Sequence, residues 1–298
     1  MLCIGLVTNK LTNNVRADVD EKPRDSYSSD ALAALCMSSA EDALVVTVSA
    51  GSTAQPPLQV LCVSSPGAGP ALHCARLLLV LEQDAALRLK QSFVSAPHAG
   101  SPAPQLVLSN TRVVLRRGAR LEHLYAQELD PAARHVEVLS AGVPAQALYS
   151  LTALQLGGRV SRLNAHVDLL EAGANCTLHG VSLPHTRQSL GLHTSITHAA
   201  PRTLSRQAQR NAVGDLGEAV FKGRIRIPRV AQGADSDQQC RTLMLGERAR
   251  VVAMPTLEIT ADDITCSHGA AICDLDENAM YVARLILYSA AHCCTVLS

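Results

Sequence analysis

Short alternations of apolar and polar residues, recurring between small-residue corners, most narrow what this chain can fold into. Between Arg162 and Leu169, the residues Leu163, Ala165, Val167 and Leu169 alternate with Arg162, Asn164, His166 and Asp168. Side chains along a strand point to opposite faces in turn, so this spacing predicts a strand with one buried face. Ile225 and Ile227 alternate with Arg224 and Arg226 in the same way. Similar segments recur from about Leu44 onward: ALVVTVSAG, LQVLCVSS, ARLLLVLEQDAALRLKQSFV, TRVVLRRGARLEHLYAQE and VSRLNAHVDLLEAGANCTLHGVSL.

Several of these strands are entered through a corner of one kind: Asp84-Ala85-Ala86-Leu87, Gly118-Ala119-Arg120-Leu121 and Gly173-Ala174-Asn175-Cys176. Recurrent short strands with small corner residues fit a β-solenoid, in which each coil covers the face of the next. They fit a β-sandwich equally well. With two Phe, five Tyr and no Trp in 298 residues, the core must be built from Leu, Val, Ala and Ile. Stacked aliphatic ladders would satisfy that demand, and so would a bundle of small-residue helices. Strands do not alternate with long helical patterns, which argues against a doubly wound α/β fold.

The chain divides into three stretches. Residues 1–42 form an irregular lead-in, whose Ser- and Asp-rich runs (RDSYSSD, SSAED) flank a short helix expected over Ala31–Met37. Residues 43–276 carry the strands. Residues 277–298 begin with a helical pattern and end in a tail containing the vicinal pair Cys293 and Cys294. The longest apolar run, Leu77 to Leu81, is strand-sized, so no membrane span is expected. The N-terminus carries acids early and fits neither a secretory signal nor a transit peptide. Lys and Arg balance Asp and Glu at 26 each, so no overall field recruits nucleic acid. The basic run at Arg116, Arg117 and Arg120 lacks interleaved aromatics for base stacking. Neither a phosphate-binding GxxxxGK[ST] loop nor a GxSxG elbow is present. Ten Cys without a CxxC pair or a regular spacing point to reduced thiols, most of them small buried residues.

Chemistry concentrates in LEITADDITCSHGAAICDLD, Leu257 to Asp276. Cys266 and His268, at i and i+2 of an extended segment, project to one face. A thiolate beside an imidazole suits zinc or iron, and a buried thiol beside a hydrogen-bonded His is the plainer reading. Asp262 and Asp263 read as turn residues that cap backbone amides. His193 and His198, five apart on one strand, would face opposite sides, so a shared metal site is not expected and both read as structural.

These residues carry a resemblance. DDITCSHGAA, HTSITHAAPRTLSRQ (193–207), GEAVFKGRIRIPRVAQGADSDQQ (217–239) and RVVLRRGARLEHLYAQE stand in the order of the core signatures of the SufB/SufD family, the scaffold proteins of iron–sulfur cluster assembly. The likeness covers roughly residues 70–282 and is nearer to SufD: in LMLGERARVVAMPTLE, Ala249 occupies the position of the B-type thiol, and CSHGAA replaces the B-type acidic motif. Ala271 and Cys273 depart from the usual Thr and Gly of the D-type motif, and Cys240 adds a thiol near a strand end. The family's docking run for the SufC ATPase starts at Tyr281–Arg284, but LILYSAAHCCTVLS then replaces its acidic helices.

The resemblance implies a right-handed parallel β-helix and a non-enzymatic scaffold. It implies pairing with a SufB-like subunit, with Cys266 and His268 as the metal-facing residues where a transient iron or iron–sulfur cluster forms at that interface. No permanently bound cofactor is implied. A SufC-like ATPase is the second implied partner, its contact weakened by the altered C-terminus. Location follows the machinery, in plastid stroma or bacterial cytoplasm, and the plastid is expected here. The alternatives are a degenerate SufD-like chain outside the complex and a β-helical carbohydrate-active enzyme, which the scarcity of aromatic sugar platforms disfavours.

Overall fold

The computed structural model describes residues 2–7, 31–40, 43–65, 69–97 and 103–274, the first stretch as backbone only. The helix and tail expected over 277–298, with Cys293 and Cys294 and the run from Tyr281, lie outside the described residues.

The first strand, β1 (Leu2–Val7), precedes the helix α1 (Ala31–Ser39). The strands that follow are β2 (Leu44–Val48), β3 (Leu58–Ser64), β4 (Ala71–Leu81), β5 (Ala86–Ser95), β6 (Gln105–Leu115), β7 (Arg120–Glu128), β8 (Ala133–Val143) and β9 (Leu148–Gln155). They continue as β10 (Val160–Leu169), β11 (Asn175–Ser182), β12 (Ser189–His198), β13 (Leu204–Val213), β14 (Glu218–Ile227), β15 (Ala234–Met244), β16 (Arg250–Ile259) and β17 (Ile264–Asp274). Even-numbered strands form one sheet and odd-numbered strands the other. Every pairing is parallel except that of β1 with β3. Each coil therefore gives one strand to each sheet, and about eight coils stack into a β-solenoid. That resolves the choice between solenoid and sandwich. The expected helix is present as α1, whereas Leu2–Val7, within the stretch expected to be irregular, pairs antiparallel along the β3 edge.

Parallel pairing in register explains the aliphatic composition. Leu79, Val113, Ala141, Val167, Ile196, Ile225 and Leu257 face one another from coil to coil along the inner side of the even sheet. Like side chains stack on like, and each buried Leu, Val or Ile contributes roughly 1.5–3 kcal/mol. The predicted strand over Arg162–Leu169 is β10, with Leu163, Ala165, Val167 and Leu169 fully buried.

One corner of every coil is a single residue with positive φ, and these residues stack: Gly51, Asp84, Gly118, Gln146, Gly173, Arg202 and Gly233. Most donate an amide hydrogen bond to the next coil, as from Asp84 to the Arg117 carbonyl at 3.0 Å and from Gly173 to the Arg202 carbonyl at 3.1 Å. A buried small residue follows at each corner from the second onward: Ala85, Ala119, Ala147, Ala174, Thr203 and Ala234. The corners read from the sequence belong to this column. Outside the even sheet, α1 lies over β4, β6 and β8, and its buried Cys36 approaches the Ala75 carbonyl at 3.4 Å.

Candidate metal-facing site at the last coil

Cys266 and His268 lie on β17, the last strand of the nine-stranded sheet. Register fixes their direction. Cys266 pairs with Ser236, and His268 pairs with Gln238. Both partners on β15 are buried inside the solenoid, Ser236 at 1% and Gln238 at 0% exposure. The thiol and the imidazole thus share the inward face, as their i, i+2 spacing predicts. No further strand covers that face among the described residues, so Cys266 is half-buried and His268 exposed. Burial pushes the Cys266 thiol up, a hydrogen bond with Ser236 opposes that shift, and the carboxylates of Asp235 and Asp237 add to it.

Around the β15–β17 edge, Asp237, Gln239, Arg241, Ser267 and His268 line an open cleft of about 300 Å³. The Ser267 hydroxyl donates to Asp237 at 2.5 Å, and Arg206 holds Asp235 through two hydrogen bonds of 2.9 and 2.5 Å. Among the described residues no group of three or more His, Cys, Asp or Glu could hold a metal ion. Cys266 and His268 therefore supply one soft and one borderline donor, and the remaining ligands of a metal or cluster must come from elsewhere.

The other residues singled out from the sequence separate from this pair. Asp262 and Asp263 sit in the turn before β17, as expected, but the capping runs the other way: the Gln232 side chain accepts from the Asp263 amide at 2.9 Å. His193 and His198 face opposite sides of β12. His193 points outward, its pKa lowered to about 4 by burial and by the charges of Arg162 and Lys222. His198 points inward at 0% exposure, and burial lowers its pKa to about 4 against the opposing field of Asp235. Cys240 stands in the middle of β15, not near a strand end, and is buried beside Asn211. Cys273 lies on the opposite face of β17 from Cys266, its thiol 3.4 Å from the Thr242 carbonyl.

Sequence reasoning missed the buried polar column beneath the site. Ser205 and Ser236, with His198 behind them, follow Tyr149 and Cys176 in one inward column that ends at Cys266. Only the coil-to-coil register brings these residues together, and no local motif marks them.

These features define a class: a two-sheet parallel β-solenoid whose last described coil presents a thiol and an imidazole on a strand edge that no other described strand pairs with. Residues 63–284 match the SufBD core domain of SUF system FeS cluster assembly. The chain belongs to this family. It is 34% identical over 207 residues to the chloroplastic protein ABCI7 of Arabidopsis thaliana, covering 69% of this chain and 43% of that protein. It is 27% identical to an iron–sulfur cluster assembly SufBD family protein of Synechocystis, over 82% of this chain and 54% of that one. With the iron–sulfur cluster assembly protein SufD of Escherichia coli it shares 25% identity, over 87% of this chain and 61% of the other. The chain thus spans about half the length of these relatives.

Proposed function

We propose that this chain is a non-catalytic scaffold subunit of the SUF iron–sulfur assembly machinery, of the SufD type, working in a plastid. The coil of β16 and β17, which no further described strand covers, would pair edge-to-edge with a SufB-like solenoid. Unpaired N–H and C=O groups along a parallel edge are a ready template for another chain's strand. Cys266 and His268 would then meet the partner's ligands, and iron or a nascent cluster, the cargo, would assemble between the two subunits. A SufC-like ATPase is the second proposed partner. The chloroplastic relative supports the plastid location, and no helix among the described residues is long and apolar enough to cross a membrane.

The observation that carries this reading is the placement of Cys266 and His268 side by side on the exposed inward face of the terminal strand. The test is co-expression with tagged SufB-like and SufC-like partners, reading recovery of each and the visible absorption of the cluster. The expected result is recovery of the SufB-like partner with both wild type and a C266A/H268A variant, and loss of cluster absorption in the variant. A variant that builds clusters as well as wild type would remove the role assigned to the pair.

A further inference from the structure

Far from the last coil, two cysteines meet on the face of the even sheet that α1 covers. Cys36, on α1, is fully buried, and its sulfur stands 3.4 Å from the Ala75 carbonyl and 3.6 Å from the Leu108 carbonyl. Ala75 adjoins Cys74 in the chain, and Leu108 is the register partner of Cys74 across β4 and β6. The Cys36 sulfur therefore lies over the rung that carries Cys74. Side chains alternate along β4: His73 and Ala75 are buried inside the solenoid, so Cys74 points out, toward α1. The two thiols hydrogen-bond there. Cys36 is the donor, since the contact favours the thiolate of Cys74 and disfavours that of Cys36. Ser39, one turn on from Cys36, donates to the same Cys74 sulfur.

Access to the pair is one-sided. Cys74 keeps part of its surface in water, whereas Cys36 keeps none. A small disulfide can reach the first sulfur and not the second. Burial pushes the Cys36 thiol up to about 12, and it raises that of Cys74 despite the two donors. Thiols held in the protonated form exchange slowly. They also lack the thiolate stabilisation that makes a disulfide strongly oxidising, so a bond between them, once made, resists reduction.

We propose that Cys36 and Cys74 are a disulfide-forming pair, a modification site that fastens α1 to the outer face of the even sheet. The oxidant is a small disulfide such as oxidised glutathione. The Cys74 thiolate attacks one of its sulfurs and expels a glutathione thiolate, leaving a mixed disulfide on Cys74. The Cys36 sulfur then attacks that of Cys74 and expels the second glutathione. Two protein thiols lose two electrons in all, and one glutathione disulfide is reduced to two thiols. The proton lost by each protein thiol ends on one of them.

The element that this bond would fasten is weakly held. At nine residues, α1 is shorter than the roughly 12–15 at which an isolated helix is even marginal. It has no acidic residue in its first turn and no basic one in its last, and Ala33 and Cys36 are its buried side chains. Cys36 is thus one of two anchors, and a covalent bond from it acts where the docking of α1 is decided. The pair lies on other elements than Cys266 and His268, so this inference and the reading of that site stand or fall separately.

The experiment equilibrates the full chain with mixtures of reduced and oxidised glutathione under mildly alkaline conditions. Remaining thiols are alkylated, and the chain is cut after Glu41, which separates Cys36 from Cys74. Mass spectrometry, with fragmentation to tell Cys74 from Cys62, is expected to give Cys36–Cys74 as the main internal disulfide. C36S should stop at the glutathione adduct on Cys74, and C74S should leave Cys36 unmodified. Hydrogen exchange of the α1 amides should slow at least about tenfold on oxidation of wild type and of neither variant. Circular dichroism checks that the variants fold, and the wild-type results decide the matter if one does not. Absence of the Cys36–Cys74 bond, a Cys74 adduct that accumulates in wild type without closing, or α1 exchange unchanged by the bond would each overturn the proposal.

Discussion

At the scale of single residues, the least expected group is a buried carboxyl in the middle of the solenoid. Glu137, on β8, is fully buried; Ser109 donates to one of its oxygens, while the other has no partner. Burial raises its pKa to about 7, against opposing hydrogen bonds from Ser109 and Thr111. The neighbouring histidines lean the other way: burial lowers both His123 and His135 to about 3, and they stay neutral against Tyr149 at 3.2 Å and Tyr125 at 2.9 Å. The signs are opposite. A carboxyl whose folded pKa lies above its unfolded value stabilises fully below about pH 4.5, and that contribution is lost as pH rises through 7. The histidines, with depressed folded values, contribute above about 6.5, and that is lost as pH falls toward 3. E137Q keeps the shape and an acceptor for Ser109 but removes the charge. Relative to wild type, it should gain stability progressively between pH 4.5 and 7, levelling at about 3 kcal/mol. Urea unfolding of both proteins at pH 5 and pH 8 checks this; an equal difference at the two pH values would mean that Glu137 titrates in the folded protein where it does in the unfolded chain. Nothing near Glu137 in the sequence announces this site, because its neighbours Ser109, Thr111, Tyr125 and Cys62 come from other coils.

At the scale of elements, most strands and three of the seven corners were legible, and the reason is chemical. Asp84, Gly118 and Gly173 advertise a left-handed backbone, since Gly meets no steric penalty there and Asp tolerates it. Gln146 and Arg202 occupy the same column, at φ of 58° and 52°, without a local signal. Stacking holds them, as when the Arg202 amide donates to the Gln232 carbonyl at 2.9 Å. The same contrast between local signal and coil-to-coil packing separates two glycines in strand interiors. Gly180 on β11 faces inward, and a Cβ there would stand 1.8 Å from Gln209 Oε1 and 2.7 Å from Leu192 Cδ2. Gln209 is itself buried and donates to Ser182 and Asn211, so it has little room to retreat. Gly191 on β12 faces outward and offers a new Cβ nothing nearer than 3.5 Å. G180A should therefore destabilise by about 1–3 kcal/mol, while G191A stays within about 0.5 kcal/mol of wild type. Thermal melts of the two variants test whether register, rather than residue type, governs tolerance along the solenoid.

At the scale of the solenoid, the interior changes character along its axis and ends, among the described residues, on a coil that no further strand covers. In the odd sheet, the inward column Leu151, Leu178, Gln207, Gln238, His268 passes from aliphatic to amide to imidazole. In the even sheet, the column from Leu79 to Leu257 stays aliphatic, and the sheet ends on Leu257 and Ile259 of β16. The last coil thus presents a mixed surface in which polar donors on one strand face an apolar edge on the other. Ile259 and Ile272 are the apolar side chains whose register partners, Ile227 and Thr242, are buried but which are themselves 38% and 50% exposed. Half or more of each is already covered in the isolated chain, and the remainder would be buried only when another solenoid covers the end. Replacing both with lysine separates those two roles. I259K/I272K should melt within a degree or two of wild type, since exposed substitutions shift stability by only about 0.5 kcal/mol. It should nevertheless bind a SufB-like partner at least about tenfold more weakly, because two charges would have to be desolvated in an apolar seam. Cys266 and His268 stay intact in this variant, so binding is measured with that pair unchanged. If the variant binds the SufB-like partner as tightly as wild type, the pairing surface lies elsewhere on the solenoid, and Cys266 and His268 would have to be reached by some route other than the end-on contact of β16 and β17.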